Sequence, residues 1–312
     1  MEGKATKPQS RPTMYFIGVK TAGSAALRMF PRWAQGLGLE NAQLVGLDFP
    51  LDASDRLYRE AVMLIKDDPL SLGALVTSHK IRLRNAAGDL FDELTEDSRL
   101  VQEVSCIYKW DGRLIGHATD PSVSGRALGR LCGTIGASLR DGQALCLGSG
   151  GAGQSLLAYF RTKAEDRPER LFVVDRDPGQ LEKAQALLDR LPGAGTFPVE
   201  LVLTKSAEEN DEILARLPAH SLVVNATGVG KDIPGSPLTG AAVFPDHGIA
   251  WELNYRGDLE FLRQAREQQQ ERHLTIGDGW QYFLLSWALI VGMVFNVSVD
   301  ERRFAVLTGA RA

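Results

Sequence analysis

Apolar residues recur in short runs along the chain, and the runs alternate with segments of helical spacing. Met14–Val19, Gln43–Asp48 and Leu72–Val76 read as strands, and Ser24–Gln35 and Asp55–Lys66 between them read as helices. Alternation of this kind predicts a parallel α/β layer rather than separate blocks of helix and strand. Ser105–Trp110, the pair Asp111-Gly112, and Arg113–Ile115 predict a β-hairpin, because Asp-Gly supplies the positive φ values of a tight turn. From Val123 to Leu139 the residues Leu128, Leu131, Ile135 and Leu139 fall three, four and four apart. That spacing is one helical face, and this helix is expected to link two domains.

A second alternating series begins at Gln143. Strands are expected at Ala144–Leu147, Leu171–Val174, Val199–Leu203, Leu222–Val224 and Ile249–Leu253. Helices are expected at Gln154–Arg161, Gln180–Arg190, Ala207–Arg216 and Leu259–Gln269. Strand–helix repeats of this length predict a doubly wound, Rossmann-like sheet. No internal repeat interrupts the plan, and Gln268–Gln270 is too short to count as low complexity.

A length of 312 residues sets two domains as the prior. The composition, 44% hydrophobic and 24% charged, suits a chain that buries full cores. Lys and Arg number 35 against 39 Asp and Glu, a net of −4, so a nucleic-acid or anionic-membrane role loses most of its electrostatic drive. Cys106, Cys132 and Cys146 are odd in number and form no CxxC pair. They exclude a disulfide scaffold or a cysteine zinc knuckle, and they point to a reducing, cytoplasmic compartment. Met1–Thr13 is polar, carries Lys4, Lys7 and Arg11, and has no apolar stretch of a secretory signal, so a disordered tail is expected. Trp280–Val299 is apolar but interrupted by Gln281, Ser286 and Asn296. A span needs about twenty apolar residues, which this stretch barely reaches, so a buried core or subunit-contact helix is expected instead.

Chemistry enters with the glycines. Gly148, Ser149, Gly150, Gly151, Ala152 and Gly153 fit GxGxxG, between a predicted strand and a predicted helix. Glycines permit the tight turn and close backbone approach, and the helix N-terminus presents unpaired N–H groups to a pyrophosphate. Asp175 closes the next strand, where an acidic side chain can bind the hydroxyls of an adenosine ribose. An aspartate there repels a 2′-phosphate, so NAD is expected ahead of NADP. Arg176 beside it works the other way, as a partner for that phosphate. The competing reading is a glycine turn that only lets a helix pack on a strand.

Two charged residues of the first half stand out. Lys80 follows the strand Leu72–Val76, and open α/β sheets place ligands at strand carboxyl ends. Asp120 follows the hairpin. Each has a plain alternative: a solvated first-turn lysine, and a helix N-cap ahead of Pro121.

At this point the chain resembles the shikimate/quinate dehydrogenases. The resemblance is carried by Leu90 to Leu100 (LFDELTEDSRL), by Gly112-Arg113-Leu114-Ile115-Gly116 leading into Thr119-Asp120, and by the glycine loop. Asn225-Ala226-Thr227-Gly228-Val229-Gly230 and the regions around Tyr255 and Gly277 extend it over roughly Tyr15 to Val297. No single motif decides it; their order and spacing do. The resemblance implies an N-terminal α/β substrate domain plus a Rossmann-like dinucleotide-binding domain facing a cleft, with the last helix returning to the first domain. The corresponding boundaries are 1–122 with 271–312 for substrate and 123–270 for NAD(P). By position Lys80 and Asp120 match the family's catalytic lysine and aspartate. Asn225, Ala226, Thr227 and Val229 fall on the nicotinamide side, Gly277 matches a glycine whose backbone approaches the nicotinamide amide, and Tyr255 matches a tyrosine near the substrate. Oxidising a secondary alcohol requires removing its O–H proton as hydride leaves carbon. An aspartate alone beside the lysine would raise the lysine's pKa, so burial or hydrogen bonding must offset it before lysine serves as a neutral base.

The substrate side departs from the family pattern. A Ser-x-Ser pair that would hold a ring carboxylate survives only as Ser24, followed by Ala25-Ala26. The expected Asn-Val-Thr-x-Pro-x-Lys appears as Leu75-Val76-Thr77-Ser78-His79-Lys80, one residue shorter and without asparagine or proline. Ser105 replaces the hairpin asparagine, Ala118 stands before Thr119-Asp120, and a late glutamine falls near Leu284 with Gln281 one turn earlier. Each lost donor to a ring hydroxyl removes about 1–3 kcal/mol of discrimination. A hydroxylated cyclic acid or alcohol other than shikimate is therefore expected, with Ser24, Thr77, Ser105, Tyr255 and Gln281 as contacts and Lys20 or Arg28 as a replacement carboxylate partner. A monomer or homodimer is expected. His79, His117, His220, His247 and His273 show no metal-ligand spacing, so no metal is expected. His79 and His117, which flank the proposed pair, are either cleft-lining or surface-loop residues. Trp280, Tyr282, Phe283 and Trp287 read as packing. Two other classes compete: an inactive dinucleotide-binding sensor or assembly protein, and another two-domain nicotinamide enzyme such as a methylenetetrahydrofolate dehydrogenase.

Overall fold

The computed structural model describes residues 8–133, 136–162, 164–192, 197–231 and 233–309. It divides into two compact units, Met1–Thr119 with Ser286–Ala312, and Asp120–Leu285.

In the first unit, β1 (Thr13–Gly18), α1 (Ala25–Leu37), β2 (Gln43–Asp48), α2 (Asp55–Asp67) and β3 (Ser71–Val76) follow the expected alternation. α3 (Lys80–Ala87), β4 (Glu93–Leu94) and α4 (Glu96–Val101) come next, then β5 (Cys106–Trp110) and β6 (Arg113–His117). The sheet order is β2-β1-β3-β5-β6-β4. β1, β2 and β3 are parallel, but β5 runs antiparallel to both β3 and β6, so the layer is mixed rather than parallel throughout. The hairpin accounts for the β5–β6 pair: Asp111 and Gly112 take φ of 49° and 72°, the tight turn that reverses the chain.

Local chemistry explains the helix ends. Ser24 caps α1 by accepting from the Ala26 N–H, and Ala26, Phe30, Trp33, Ala34 and Leu37 bury one face. Gly38, at φ 72°, ends the helix by donating its N–H to the Ala34 and Gln35 carbonyls. The core between sheet and helices holds Tyr15, Ile17, Tyr58, Val62, Ile65, Val76, Leu83 and Ile107. Thr13 belongs to β1, and the Gln9 N–H donates to Asp68 at 2.9 Å. The expected disordered tail thus does not hold for Gln9 and Arg11–Thr13, whose backbone groups carry partners; residues 1–7 lie outside the described residues.

The second unit opens with α5 (Asp120–Gly133), which starts before the expected Val123. Leu139 belongs to a separate one-turn helix capped by Ser138, and Ile135 lies outside the described residues. Then come β7 (Ala144–Leu147), α6 (Gly151–Thr162), β8 (Leu171–Asp175), α7 (Pro178–Arg190), β9 (Val199–Leu203) and α8 (Ala207–Leu214). β10 (Leu222–Asn225), β11 (Ile249–Glu252), α9 (Glu260–Gln268) and β12 (Thr275–Gly277) complete the sheet. Its order is β12-β11-β10-β7-β8-β9, with every pairing parallel. Numbered from β7, that is 3-2-1-4-5-6 read from the β9 edge, the doubly wound order of a Rossmann sheet. β7, β10 and β11 are buried at every position, as strands covered on both faces must be.

The last two helices are α10 (Gly279–Val294) and α11 (Glu301–Thr308), and the boundary between units falls within α10. Within the first unit Trp287 meets Phe16 edge-on at 5.1 Å and lies 5.8 Å from Trp33. Trp33 in turn donates its indole N–H to the Leu307 carbonyl at 2.7 Å. α10 is therefore a core helix, and none of the described helices is long and apolar enough to cross a membrane.

Candidate functional site

A pocket of about 540 Å³ lies in the second unit, over the carboxyl ends of β7, β8 and β10. Strand order reverses between β7 and β10, the topological switch point at which open α/β sheets bind ligands. Of the residues expected at a cofactor, Gly148, Gly150, Asp175, Arg176, Ala226, Thr227 and Val229 line it.

The glycine loop has the three roles its spacing implies. Gly148 takes φ 100°, which a side chain would strain. A Cβ on Gly153 would run into the Gly148 carbonyl, so this glycine is needed for α6 to pack on β7. Gly150 and Gly151 have nothing within 4 Å of a Cβ position, leaving the open cradle that an anion at a helix N-terminus needs. Asp175 is already engaged. Its Oδ2 accepts from the Ser149 N–H at 2.7 Å and from the Ser149 hydroxyl at 3.0 Å, and its Oδ1 accepts from the Asp177 N–H. The carboxylate thus holds the loop while facing the pocket. Ser149 is fully buried and serves as the loop's anchor.

On the other wall, Asn225 Oδ1 accepts from the Thr227 N–H and hydroxyl at 3.1 and 2.6 Å. Its Nδ2 donates to Glu252 Oε2 at 2.7 Å and to the Val229 carbonyl at 3.3 Å. Glu252 is fully buried, and its second oxygen accepts from the Asn254 N–H at 2.7 Å. Burial pushes the Glu252 carboxyl up to about 7, against hydrogen bonds from Asn254, Asn225 and Leu253 that favour its ionised form. Neither Glu252 nor Asn254 stood out in the sequence. An acidic residue closing an otherwise apolar strand was the available signal. Thr204, Lys205, Ser206 and Asn210, which line the pocket beyond β9, were also missed, although strand-end position alone marks them.

Gly277 ends β12, where a Cβ would meet Leu131 and Trp251, so close packing accounts for it. Tyr255 lies in an aromatic group, 4.7 Å from Phe283 and 6.3 Å from Trp280. Gln281 is exposed, and Ala152 is half-buried.

In the first unit the hydroxyls hold backbone. Thr77 donates to the Ile17 carbonyl at 3.2 Å, tying the ends of β3 and β1. Ser105, buried, accepts from the Thr119 N–H at 2.8 Å and shares a hydrogen bond with the Thr119 hydroxyl at 3.0 Å. It thereby fixes the residue before Asp120. Lys80 opens α3 and is half-buried; Asp120, the first residue of the second unit, opens α5 and is 8% exposed. Lys20 and Arg28 are exposed.

The histidines divide sharply. His79 turns into the core of the first unit, with Nε2 3.0 Å from the Phe49 carbonyl and Nδ1 2.8 Å from the Tyr58 hydroxyl. A carbonyl can only accept, so Nε2 carries the proton and Tyr58 donates to Nδ1. Burial lowers the His79 pKa and keeps the ring neutral. Fully buried, it is neither cleft-lining nor a surface-loop residue; it anchors the loop ahead of Lys80. His117 bonds Thr95 at 2.8 Å. His220, His247 and His273 form a row at the amino ends of β10, β11 and β12, with ring centroids 5.3 and 4.9 Å apart. Among the described residues no His, Cys, Asp and Glu group is arranged to hold a metal ion. The three cysteines are free and buried, and burial pushes Cys132 and Cys146 up to about 11 and 12, so both are inert thiols.

The fold and site define a two-unit α/β protein whose second unit has the order and loop of a dinucleotide-binding sheet. Comparison with known proteins bears out the resemblance to shikimate/quinate dehydrogenases. The sequence is 31% identical over 178 residues to a shikimate dehydrogenase (NADP(+)) of Streptococcus pneumoniae strain CGSP14, a match covering 57% of this chain and 58% of that one. The match thus spans less than two thirds of that relative. In fold, the chain is similar to shikimate 5-dehydrogenase from Thermus thermophilus in complex with NADP(H) and shikimate. The TM-score is 0.69 at 24% identity, covering 95% of this chain and 98% of that one. It is likewise similar to quinate dehydrogenase from Corynebacterium glutamicum in complex with NAD, with a TM-score of 0.72 at 22% identity over 96% and 99% of the two chains. No family model matches the chain.

Proposed function

We propose that the chain is a divergent shikimate-dehydrogenase-like oxidoreductase that interconverts a ring secondary alcohol and its ketone with a nicotinamide dinucleotide. The observation that carries this reading is convergence. The glycine loop, Asp175 and the Ala226–Val229 segment, far apart in sequence, line one pocket at the switch point of a 3-2-1-4-5-6 sheet. The open space at Gly150 and Gly151 fits a diphosphate, and the Asp175 carboxylate fits ribose hydroxyls. When bound, the nicotinamide supplies the acceptor for hydride from the carbinol carbon. The chain's own part is the proton: Lys80 and Asp120 form the acid–base pair that takes it from the alcohol oxygen and returns it to the ketone in reverse. The substrate domain is residues 1–122 with 271–312, and 123–270 binds the cofactor.

NAD is the preferred cofactor, because a carboxylate at the ribose repels a 2′-phosphate. Arg176 and Lys205, both in the pocket lining, favour NADP as the second reading. The substrate is a hydroxylated cyclic acid or alcohol other than shikimate, since Ser24 stands without the second serine and Ala118 without a donor. Ser24, Thr77, Ser105, Tyr255 and Gln281 are its proposed contacts.

The test is an oxidation assay over a panel of cyclic hydroxy acids and polyols with NAD and with NADP, with Lys80→Ala and Asp120→Asn as controls. Turnover of at least one member, lost in both variants, is expected. Shikimate as the preferred substrate would sink the substrate assignment. Tight NAD binding without turnover of any member would favour a binding protein instead.

A further inference from the structure

Glu252 and Asn225 are direct partners across the parallel β10–β11 pair, so their side chains emerge on one face at the carboxyl edge. Glu252 is fully buried and stands behind the pocket rather than in its lining. Its two oxygens divide the work. Oε2 accepts from Asn225 Nδ2, which fixes the Asn225 amide so that Oδ1 faces the Thr227 N–H and hydroxyl. Oε1 accepts from the Asn254 N–H, and Asn254 Nδ2 donates to the Thr227 and Val229 carbonyls at 3.0 and 3.2 Å. Thr227 and Val229 line the pocket.

We propose that Glu252 is a positioning residue for nucleotide binding, holding the Ala226–Gly230 wall of the pocket in shape through Asn225 and Asn254. The inference rests on the reading of this pocket as a dinucleotide site. The arrangement needs the carboxylate, because both of its oxygens face N–H donors. A proton on either oxygen sets donor against donor. If the Asn225 amide turns over to accept it, its Nδ2 then confronts the Thr227 N–H and that anchor is lost.

Glu252 changes charge at about 7, so the wall is held above that pH and loosened below it. The upward shift arises from burial, opposed by the hydrogen bonds, with no charged neighbour contributing. β10 and β12, its neighbours in the sheet, carry no titratable side chain. The charged residues of α9, which packs on β11, are Glu260, Arg263, Arg266 and Glu267; Arg263 pairs with Glu260 and Glu267, and Arg263, Arg266 and Glu267 are exposed.

The experiment is NAD titration of the full chain and of Glu252→Gln between about pH 6 and about pH 8, followed by calorimetry, with circular dichroism and melting to check folding. The wild-type dissociation constant is expected to rise about tenfold as pH falls through the window, the worth of one hydrogen bond. Glu252→Gln, which carries a donor where Asn225 already donates, is expected to bind NAD weakly at every pH and without the step. A wild-type constant that stays flat, or a step that persists in Glu252→Gln, would overturn the inference while leaving dinucleotide binding intact. The wild-type profile decides even if the variant does not fold. Failure to bind NAD or NADP at any pH would overturn the dinucleotide reading and this inference with it.

Discussion

The carboxyl edges of the two sheets are built on opposite principles. At the edge of the second sheet, space is made by absence: Gly148 makes the tight turn at φ 100°, Gly150 and Gly151 leave open backbone, and polar side chains behind the wall hold it still. At the edge of the first sheet, hydroxyls fill the same kind of position and hold backbone themselves. Ser24 caps α1, Thr77 ties β3 to β1, and Ser105 ties the segment before Asp120. A site made by backbone is recognisable from its glycines, because little else tolerates those contacts. A site made by side chains is ambiguous, because a serine that caps a helix and a serine that binds substrate look alike.

The proposed acid–base pair should carry the largest mutational effect. Lys80→Ala and Asp120→Asn should each lower turnover by about 10²–10⁴, the usual worth of general acid–base catalysis. NAD affinity should stay within about threefold of wild type, since both lie outside the pocket lining. Calorimetry alongside steady-state assays separates the two. Equal loss of affinity would mean that Lys80 and Asp120 serve nucleotide binding as well.

The second largest effect concerns stability. Glu252 is more readily protonated in the folded chain than in the unfolded one, since its carboxyl is pushed from 4.5 up to about 7. The folded state therefore binds the extra proton between those values, and stability from this group falls as pH rises through the window. A shift of that size is on the order of 3 kcal/mol. Unfolding free energies of wild type minus Glu252→Gln, measured by denaturant titration, should fall from about pH 4.5 to about pH 7 and then level. The ionised carboxylate thus costs stability at the same pH at which it best holds the pocket wall. A difference that does not change with pH would show that Glu252 stays ionised throughout.

Gly153→Ala sharpens the contrast within the glycine loop. A methyl there meets the Gly148 carbonyl, so α6 must shift from β7 at a cost of about 1–3 kcal/mol. The melting temperature should fall and NAD affinity should drop about tenfold, whereas Gly150→Ala, with open space around it, should fold normally and lose affinity alone. Equal stability of the two variants would remove the packing role assigned to Gly153.

Much of the fold was legible because its signals are local. β2, β7 and β9 coincide with their sequence-based bounds, and the Asp111-Gly112 turn follows from φ requirements alone. α3, α4, β4, β12 and α11 were not anticipated. They are short, and β12 holds its place by pairing with β11 rather than through a pattern of its own. In the site, the glycine loop and Asp175 could be read from spacing. Glu252 and Asn254 could not, since their meaning lies in cross-strand partners that only the register of β10 and β11 supplies. His79 shows the converse: adjacency to Lys80 suggested chemistry, while its two core hydrogen bonds give it a packing role.

The smallest expected effect tests the side-chain edge at its most burdened residue. Ser105 is buried, and its oxygen accepts the Thr119 N–H while meeting the Thr119 hydroxyl. Ser105→Ala keeps the volume of the side chain nearly constant and removes that acceptor, at a cost of about 1 kcal/mol by the usual worth of one buried hydrogen bond. If the serine only holds backbone, the loss appears in the melting curve, and Asp120 one residue on loses some precision, lowering kcat a few-fold at unchanged KM. If it also binds substrate, KM rises as well, because a contact made equally in ground and transition states is gone. Ser105→Thr retains the hydroxyl, and its rescue of kcat distinguishes loss of the oxygen from a general loosening of the β5–β6 end. A rise in KM without any change in stability would place Ser105 with the substrate and make the two edges more alike than their hydrogen bonds suggest.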